Sequence, residues 1–162
     1  MFEKLFQAIF RQEQELSQER EIARHLAKVS LFELRGIEAL YPDLQTLTKK
    51  LLEKSSYPIR IMETIRSAVT QDKYYNQGRT SPGSVITNAK GLQSYHNYGL
   101  AFDITFQGNE PYPKQYEKWK RVGELGESLG LVWGGRFNDN PHFEWHPDFI
   151  WQELEKYFKR SE

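Results

Sequence analysis

Apolar and polar positions follow two different periods along this chain, and each period predicts a type of secondary structure. Apolar residues at helical spacing, together with helix-start and helix-stop residues, predict helices over residues 1–28, 42–55, 67–76 and 114–129. Gly130 is the expected stop of the fourth helix. Pro147 is expected to open a last helix whose inward residues are Phe149, Ile150, Leu154, Tyr157 and Phe158.

Residues 99–106 alternate between apolar and small or polar side chains, which predicts a strand. One face carries Leu100, Phe102, Ile104 and Phe106, and the other carries Ala101, Asp103 and Thr105. Asp103 is therefore expected to point away from the apolar layer. A further strand is predicted over residues 57–64, and short strands or strand-like loops over 132–137 and 142–145.

Helices and short strands in this order predict an α+β fold, with a small, mainly antiparallel sheet flanked by helices and an N-terminal helical extension. The 162 residues suit one domain with a small appendage. We divide the chain into an N-terminal helical segment over residues 1–30 and a main domain over 31–162.

The N-terminal segment carries an apolar stripe that admits two interpretations. Its members are Phe2, Leu5, Phe6, Ile9 and Phe10. The first interpretation is a helix packed on the domain or on a second copy of the chain. The second is a helix that binds a partner or a membrane surface. The polar residues that follow carry both charge signs, which argues against strong binding to anionic lipid.

Composition excludes several classes of function. Lys plus Arg equals Asp plus Glu at 22 each, so the chain is not a polybasic nucleic-acid binder. The absence of cysteine excludes disulfides and thiolate chemistry. No apolar run of spanning length exists, and the N-terminus lacks the pattern of a secretory signal, so neither a membrane span nor a signal peptide is expected.

Two histidines and one carboxylate are the candidate metal ligands. His96 precedes the predicted strand, Asp103 lies on it, and His142 comes from a distant segment. Two imidazoles and a carboxylate with an open fourth position are typical of a catalytic Zn²⁺ site, whereas a structural site is closed by four protein ligands. His146 is the substitute ligand if His142 is not one.

A carboxylate near these ligands is needed as a general base. Asp139 lies three residues before His142, and we favour it for this role; Glu144, two residues after His142, is the alternative. Arg66 is the candidate for binding a substrate carboxylate or a developing oxyanion. Asp139 and Arg66 also have purely structural interpretations. Asp139 could cap a turn, and Arg66 could form a structural ion pair.

The two-part motif Ser94-x-His-x-x-Gly-x-Ala-x-Asp103 and Asp139-x-Pro-His-Phe-Glu144 resembles a family of peptidoglycan zinc peptidases. The family includes D-alanyl-D-alanine carboxypeptidases, dipeptidases, and L-alanyl-D-glutamate endopeptidases of endolysins and wall hydrolases. The resemblance covers roughly residues 40–150 and includes Trp133-Gly-Gly and the region of Arg66.

The resemblance implies particular roles for these residues. The metal ligands of the family fall on His96, Asp103 and His142, the catalytic base on Asp139, and the substrate-stabilising arginine on Arg66. Ser94 and Trp133 are expected to contact substrate, although Trp133 also reads as a core tryptophan behind a tight turn.

The resemblance also implies a function, which is Zn²⁺-dependent hydrolysis of peptide bonds in the peptidoglycan stem at the cell wall. The L-Ala–D-Glu bond is the first expectation and the D-Ala–D-Ala bond is the alternative. A rival of another class is a non-catalytic, zinc-stabilised module that binds wall or protein, with the N-terminal helix recruiting a partner.

Overall fold

The structure is a computed structural model that describes residues 2–31, 35–146, 148 and 150–160. Its α-helices are α1 (Phe2–Leu31), α2 (Pro42–Lys54), α3 (Ala68–Asn76), α4 (Tyr116–Ser128) and α5 (Trp151–Arg160). Its strands are β1 (Ile59–Glu63), β2 (Ala101–Phe106), β3 (Val132–Trp133) and β4 (His142–Glu144). Three short 3₁₀ turns span Gly36–Ala39, Tyr95–Tyr98 and Gly134–Phe137.

The four strands form one antiparallel sheet in the order β1-β2-β4-β3. The predicted α+β class, with helices around a small antiparallel sheet and a helix at the N-terminus, is confirmed. Among the described residues, no helix combines the length and the apolar character needed to cross a membrane.

One face of the sheet is covered by α2 and α4. The main core contains apolar side chains from these helices and from the strands, among them Leu44, Leu51, Phe102, Ile104, Trp119, Val122, Trp133 and Phe143. Gly123 and Gly126 let α4 approach the sheet closely. A Cβ at position 123 would lie 2.1 Å from the Trp133 ring, and a Cβ at position 126 would lie 2.5 Å from the Phe143 ring. Burial of these side chains supplies the main driving force for folding.

A second apolar cluster joins α1 and α5 to the Tyr95–Tyr98 turn. Ile22 from α1 and Leu154 from α5 are buried there with Tyr98. The C-terminal half of α1 is thus packed on the domain. Leu100 and Ala101 also belong to this cluster, which corrects the prediction that Leu100 shares the apolar layer of Phe102.

A β-bulge interrupts the pairing of β1 with β2. Ile61 pairs with Ile104, but the next partner of Asp103 is Glu63, because Met62 is an extra residue in β1. Paired residues project to the same face of a sheet, so the bulge places Glu63 beside Asp103 instead of toward the core. Asp103 also pairs with His142 on β4, so three functional groups share one row across the sheet.

Several predicted boundaries need correction. The strand predicted over 132–137 ends at Trp133 and continues as a 3₁₀ turn, and the fourth predicted helix begins at Tyr116. Gly130 follows α4 with φ +93°, as expected of a stop. Ile150 is exposed, not inward. Pro147, Phe149 and the side chains of Phe2, Leu5, Phe6 and Ile9 lie outside the described parts, and the division at residue 30 stays a prediction.

Candidate active site

Separate elements carry the three predicted ligands to the sheet face opposite α2 and α4. His96 lies in the Tyr95–Tyr98 turn, where the Ser94 side chain accepts a hydrogen bond from the His96 backbone N–H (3.3 Å). Gly99 ends this turn with φ +69°, a left-handed conformation that favours glycine. Asp103 comes from the middle of β2 and His142 from the start of β4.

The ligand atoms of these residues form a tight triangle. The His142 Nδ1 atom lies 3.0 Å from Asp103 Oδ1 and 3.1 Å from His96 Nε2, and the third side, from His96 Nε2 to Asp103 Oδ1, is 3.4 Å. All three residues are buried. The structure therefore brings together the two remote segments that the sequence predicted to meet.

Each histidine has its other ring nitrogen fixed by an acceptor. His96 Nδ1 lies 2.6 Å from the Thr64 carbonyl oxygen, and His142 Nε2 lies 2.9 Å from Glu144 Oε1. A carbonyl can only accept, so His96 Nδ1 donates and its Nε2 presents a lone pair to the triangle. Acceptors on the outer nitrogens are the usual support of metal-binding histidines, because they fix both tautomer and ring orientation.

The charges of the triangle show why it requires a cation or a proton. Burial opposes a charge on His142, but hydrogen bonds with Asp103 and Glu144 outweigh burial and raise the pKa of His142 to about 10. Burial alone would raise the pKa of Asp103, yet the hydrogen bond from His142, together with the neighbouring His96 imidazole, holds that pKa well below its usual range. Without a metal, the site thus retains a proton on His142 beside an ionised Asp103.

The triangle also has the dimensions of a zinc site. Two atoms that each lie about 2.1 Å from a tetrahedral Zn²⁺ are roughly 3.4 Å apart. The three distances, 3.0, 3.1 and 3.4 Å, are close to that value. Within the described part of the chain, these residues form the one group of three or more histidine and acidic side chains placed to hold a metal ion.

Arg66 is held in a dense network behind Asp103. Its guanidinium makes a bidentate contact with Glu63, donates to Gln71 Oε1 (2.7 Å) and lies 3.6 Å from Asp103 Oδ2. Gln71 is fully buried and donates in turn to the Ala89 carbonyl oxygen (2.8 Å). Burial opposes the Arg66 charge, but Glu63 and Asp103 keep its pKa above the usual value. Arg66 therefore orients Asp103 and links it to the loop that contains Ala89.

The two candidate bases stand in contrasting environments. Among the described residues, no hydrogen bond or ion pair engages the Asp139 carboxylate, which lines the cleft. Partial desolvation is the largest cause that raises its pKa. Glu144 instead contacts His142 with one oxygen and His146 Nε2 with the other (3.0 Å). Burial would raise the pKa of Glu144, but these two hydrogen bonds lower it to about 2.

A cleft of about 990 Å³ lies over the triangle. Its described lining combines the polar centre with apolar and aromatic walls, including Met62, Tyr74, Ile86, Val132, Phe137 and Trp151. Ser94 also lines the cleft, while its hydroxyl caps the turn that carries His96.

The structure corrects the expectation that Trp133 contacts substrate. Its side chain is fully buried, packs against α4, and donates from Nε1 to the Asn140 carbonyl oxygen (2.9 Å). From its position in the core, Trp133 thus holds the segment that leads to His142. His25 is buried away from these ligands and bonds to the Ala39 carbonyl oxygen (3.0 Å).

Sequence reasoning missed Thr64, Glu63 and the supporting function of Glu144. The spacing His142-x-Glu144 was a usable signal, because residues two apart on a strand project to the same face. Glu63 gave no such signal, because only the bulge turns it toward Asp103.

Known proteins resemble this chain in sequence and in fold. Residues 87–145 match a family model described as D-alanyl-D-alanine carboxypeptidase. The chain is 42% identical to the peptidoglycan L-alanyl-D-glutamate endopeptidase CwlK of Bacillus subtilis (strain 168), over 54% of this chain and 60% of that protein. It thus spans about 60% of the length of that relative.

A solved structure, the L-Ala D-Glu endopeptidase ChiX of Serratia marcescens, shares the fold. The TM-score is 0.52 at 21% sequence identity, and the match covers 68% of this chain and 83% of the other. The resemblance to peptidoglycan peptidases predicted from the motifs is confirmed.

Proposed function

We propose that this chain, which resembles the peptidoglycan peptidases, uses Zn²⁺ to hydrolyse peptide bonds in the stem peptide of peptidoglycan. The observation that carries the proposal is the buried triangle of His96, Asp103 and His142, open to a cleft beside the unengaged carboxylate of Asp139. Action on this substrate places the enzyme at the cell wall.

The residues divide the chemistry among them. Zn²⁺ held by the triangle would supply Lewis acidity toward the scissile carbonyl and increase the acidity of water. Asp139 accepts the proton of the attacking water and returns it to the departing amine. Arg66 keeps Asp103 in place through the contact with Oδ2, so that Oδ1 faces the two imidazoles.

The contacts of the two acids favour Asp139 over Glu144 as the base. A general base is most effective when its pKa lies near the working pH. The pKa of Glu144 falls to about 2 because both of its oxygens serve imidazoles, whereas that of Asp139 is raised. Glu144 is therefore assigned to orienting His142.

Two observations support cleavage of an internal bond, with L-Ala–D-Glu as the first choice. The relative from Bacillus subtilis and the structurally similar protein from Serratia marcescens are both named as endopeptidases of that bond. In addition, a carboxypeptidase requires a donor for the terminal carboxylate. Arg66 is the lone arginine or lysine among the described residues that line the cleft, and its three nitrogens already face Glu63, Gln71 and Asp103.

A D-alanyl-D-alanine carboxypeptidase is the second candidate, because the matching family model carries that description. The rival of another class, a zinc-stabilised binding module, predicts binding to wall without cleavage. Association through the N-terminal helix, with a partner or a second copy, stays a prediction.

Digestion of purified muropeptides, followed by mass spectrometry of the new termini, tests the proposal. We expect new N-terminal D-Glu, loss of products with a chelator, and their return with Zn²⁺. Free D-Ala as the product would identify the carboxypeptidase, and intact muropeptides would favour the binding module.

Asp139→Asn tests the assignment of the base. The variant is expected to retain Zn²⁺ and to lose about 10²–10⁴-fold in turnover, the usual contribution of a general base. Full activity of this variant would transfer the role to another group.

A further inference from the structure

His146 lies beside the metal triangle without belonging to it. Its Nε2 atom is 3.0 Å from Glu144 Oε2, and Glu144 Oε1 is 2.9 Å from His142 Nε2. Glu144 therefore separates the two imidazoles, and His146 faces an oxygen that the ligand His142 does not use. This arrangement argues against the alternative in which His146 replaces His142 as a ligand.

The Tyr95 ring stacks on the face of the His146 ring. The two rings are parallel within 4°, and their centroids are 4.0 Å apart. Tyr95 is buried and directly precedes the ligand His96 in the same 3₁₀ turn. The stack thus connects the segment that carries His96 with the segment that carries His142.

We infer that Tyr95, His146 and Glu144 form a clamp that holds the two ligand-bearing segments together, with His146 as a positioning residue for His142. The path runs from His96 through its neighbour Tyr95, across the stack to His146, and through Glu144 to His142. The inference rests on the zinc site of the proposed function and adds His146 to the residues that support it.

The physical reason for the clamp lies in the two oxygens of Glu144. Without His146, Oε2 loses its donor and the carboxylate can rotate toward solvent in the cleft. His142 Nε2 then loses its fixed acceptor, and the orientation of its Nδ1 atom is less restricted. Loss of an outer partner of a metal ligand typically reduces metal affinity about 10–100-fold. For His146, which acts through Glu144, we expect roughly the lower value, about tenfold.

Two substitutions of His146 separate positioning from simple packing. His146→Ala removes both the donor and the stack. His146→Gln restores a planar group with an N–H donor at similar reach, and should recover most of the affinity.

His25→Ala is the matched control for these variants. His25 is a buried histidine whose ring meets the Tyr41 ring edge-on, with centroids 5.8 Å apart, and bonds to a carbonyl oxygen. It contacts none of the ligand atoms, so its loss should reduce stability without changing zinc affinity.

The measurements are Zn²⁺ affinity by competition with a chromophoric chelator, the visible spectrum of the Co²⁺-loaded protein, and thermal unfolding of the metal-free protein. The inference predicts about tenfold weaker Zn²⁺ binding and an altered Co²⁺ spectrum for His146→Ala. It also predicts recovery in His146→Gln and unchanged metal binding in His25→Ala.

Wild-type affinity and spectrum in His146→Ala would overturn the inference, as would an equal loss of affinity in His25→Ala. Failure of His146→Gln to recover affinity would also overturn it. Lack of Zn²⁺ binding by the wild-type protein would refute the metal site itself, and is thereby distinguished from failure of the clamp alone.

Discussion

Replacement of Gly134 by alanine should disturb the base and a ligand together while leaving the chain folded. Gly134 is buried at the start of the 3₁₀ turn after β3, and its φ is not positive, so alanine meets no backbone strain there. A Cβ at this position would lie 2.4 Å from the Asp139 carbonyl oxygen and 2.8 Å from the His142 Cβ. The substitution therefore acts only through steric overlap of the new Cβ with the Asp139 carbonyl oxygen and the His142 Cβ.

The magnitude follows from these distances. A carbon and a carbonyl oxygen approach to about 3.3 Å at closest, so the Asp139 backbone must move by roughly 0.9 Å. Overpacking of this kind reduces the free energy of unfolding by about 1–3 kcal/mol. A displacement near 1 Å at catalytic groups can reduce the rate about 100-fold. We expect both effects in Gly134→Ala, with weaker Zn²⁺ binding because His142 moves as well.

Urea unfolding, Zn²⁺ competition and muropeptide hydrolysis measure the three effects. Ile59→Val is the control, since Ile59 is buried in the core on β1 and its truncation should reduce stability by about 0.5–1.5 kcal/mol without affecting turnover. Wild-type turnover and Zn²⁺ affinity in Gly134→Ala would refute the reasoning, because the contacts of the glycine would then not define the site.

Three more predictions concern the support and charge of the site. Glu144→Gln should weaken Zn²⁺ binding about 10–100-fold in chelator competition, since a neutral amide polarises His142 less; unchanged affinity would contradict its supporting role. The pKa of His142 is raised to about 10 in the metal-free protein, so its stabilising contribution is present below about 6.5 and is lost as the pH rises through 10. Zn²⁺ displaces this proton, so its affinity should increase with pH over that window, and a pH-independent affinity in calorimetry would count against the protonated site. Trp133→Phe removes the hydrogen bond to the Asn140 carbonyl oxygen and should reduce the free energy of unfolding by about 1–3 kcal/mol, measured by urea unfolding; a wild-type value would show that this bond does not hold the loop.

Secondary structure and the facing of a side chain could be predicted from the sequence where apolar residues recur at a regular spacing. Alternation over residues 99–106 was sufficient to place Asp103 opposite the apolar face, and the buried Phe102 and Ile104 agree with it. His96 and His142 lie 46 residues apart in the sequence, and their approach depends on the pairing of β2 with β4, which no local pattern contains. Only the resemblance of the two-part motif to a known family indicated that the two histidines meet.

Other features depend on irregular geometry or on the partners of a side chain. Glu63 could not be found, because a period of two assigns it to the core side of β1 and the bulge reverses that assignment. Trp133 is expected from the sequence to contact substrate, yet its ring packs on α4 while Gly134 and Gly135 turn the backbone after it. The choice between Asp139 and Glu144 required knowing which carboxylate already has partners.

The bulge at Met62 makes the residue count of β1 part of the chemistry. The extra residue shifts the register of β1 by one, so Glu63 and Asp103 project to the same face of the sheet. In an uninterrupted ladder they would project to opposite faces. In an alignment of this chain with its relatives, a gap at Met62 thus implies a partner for Arg66 other than the residue at position 63. An insertion or deletion within this edge strand therefore changes which side chain faces Asp103.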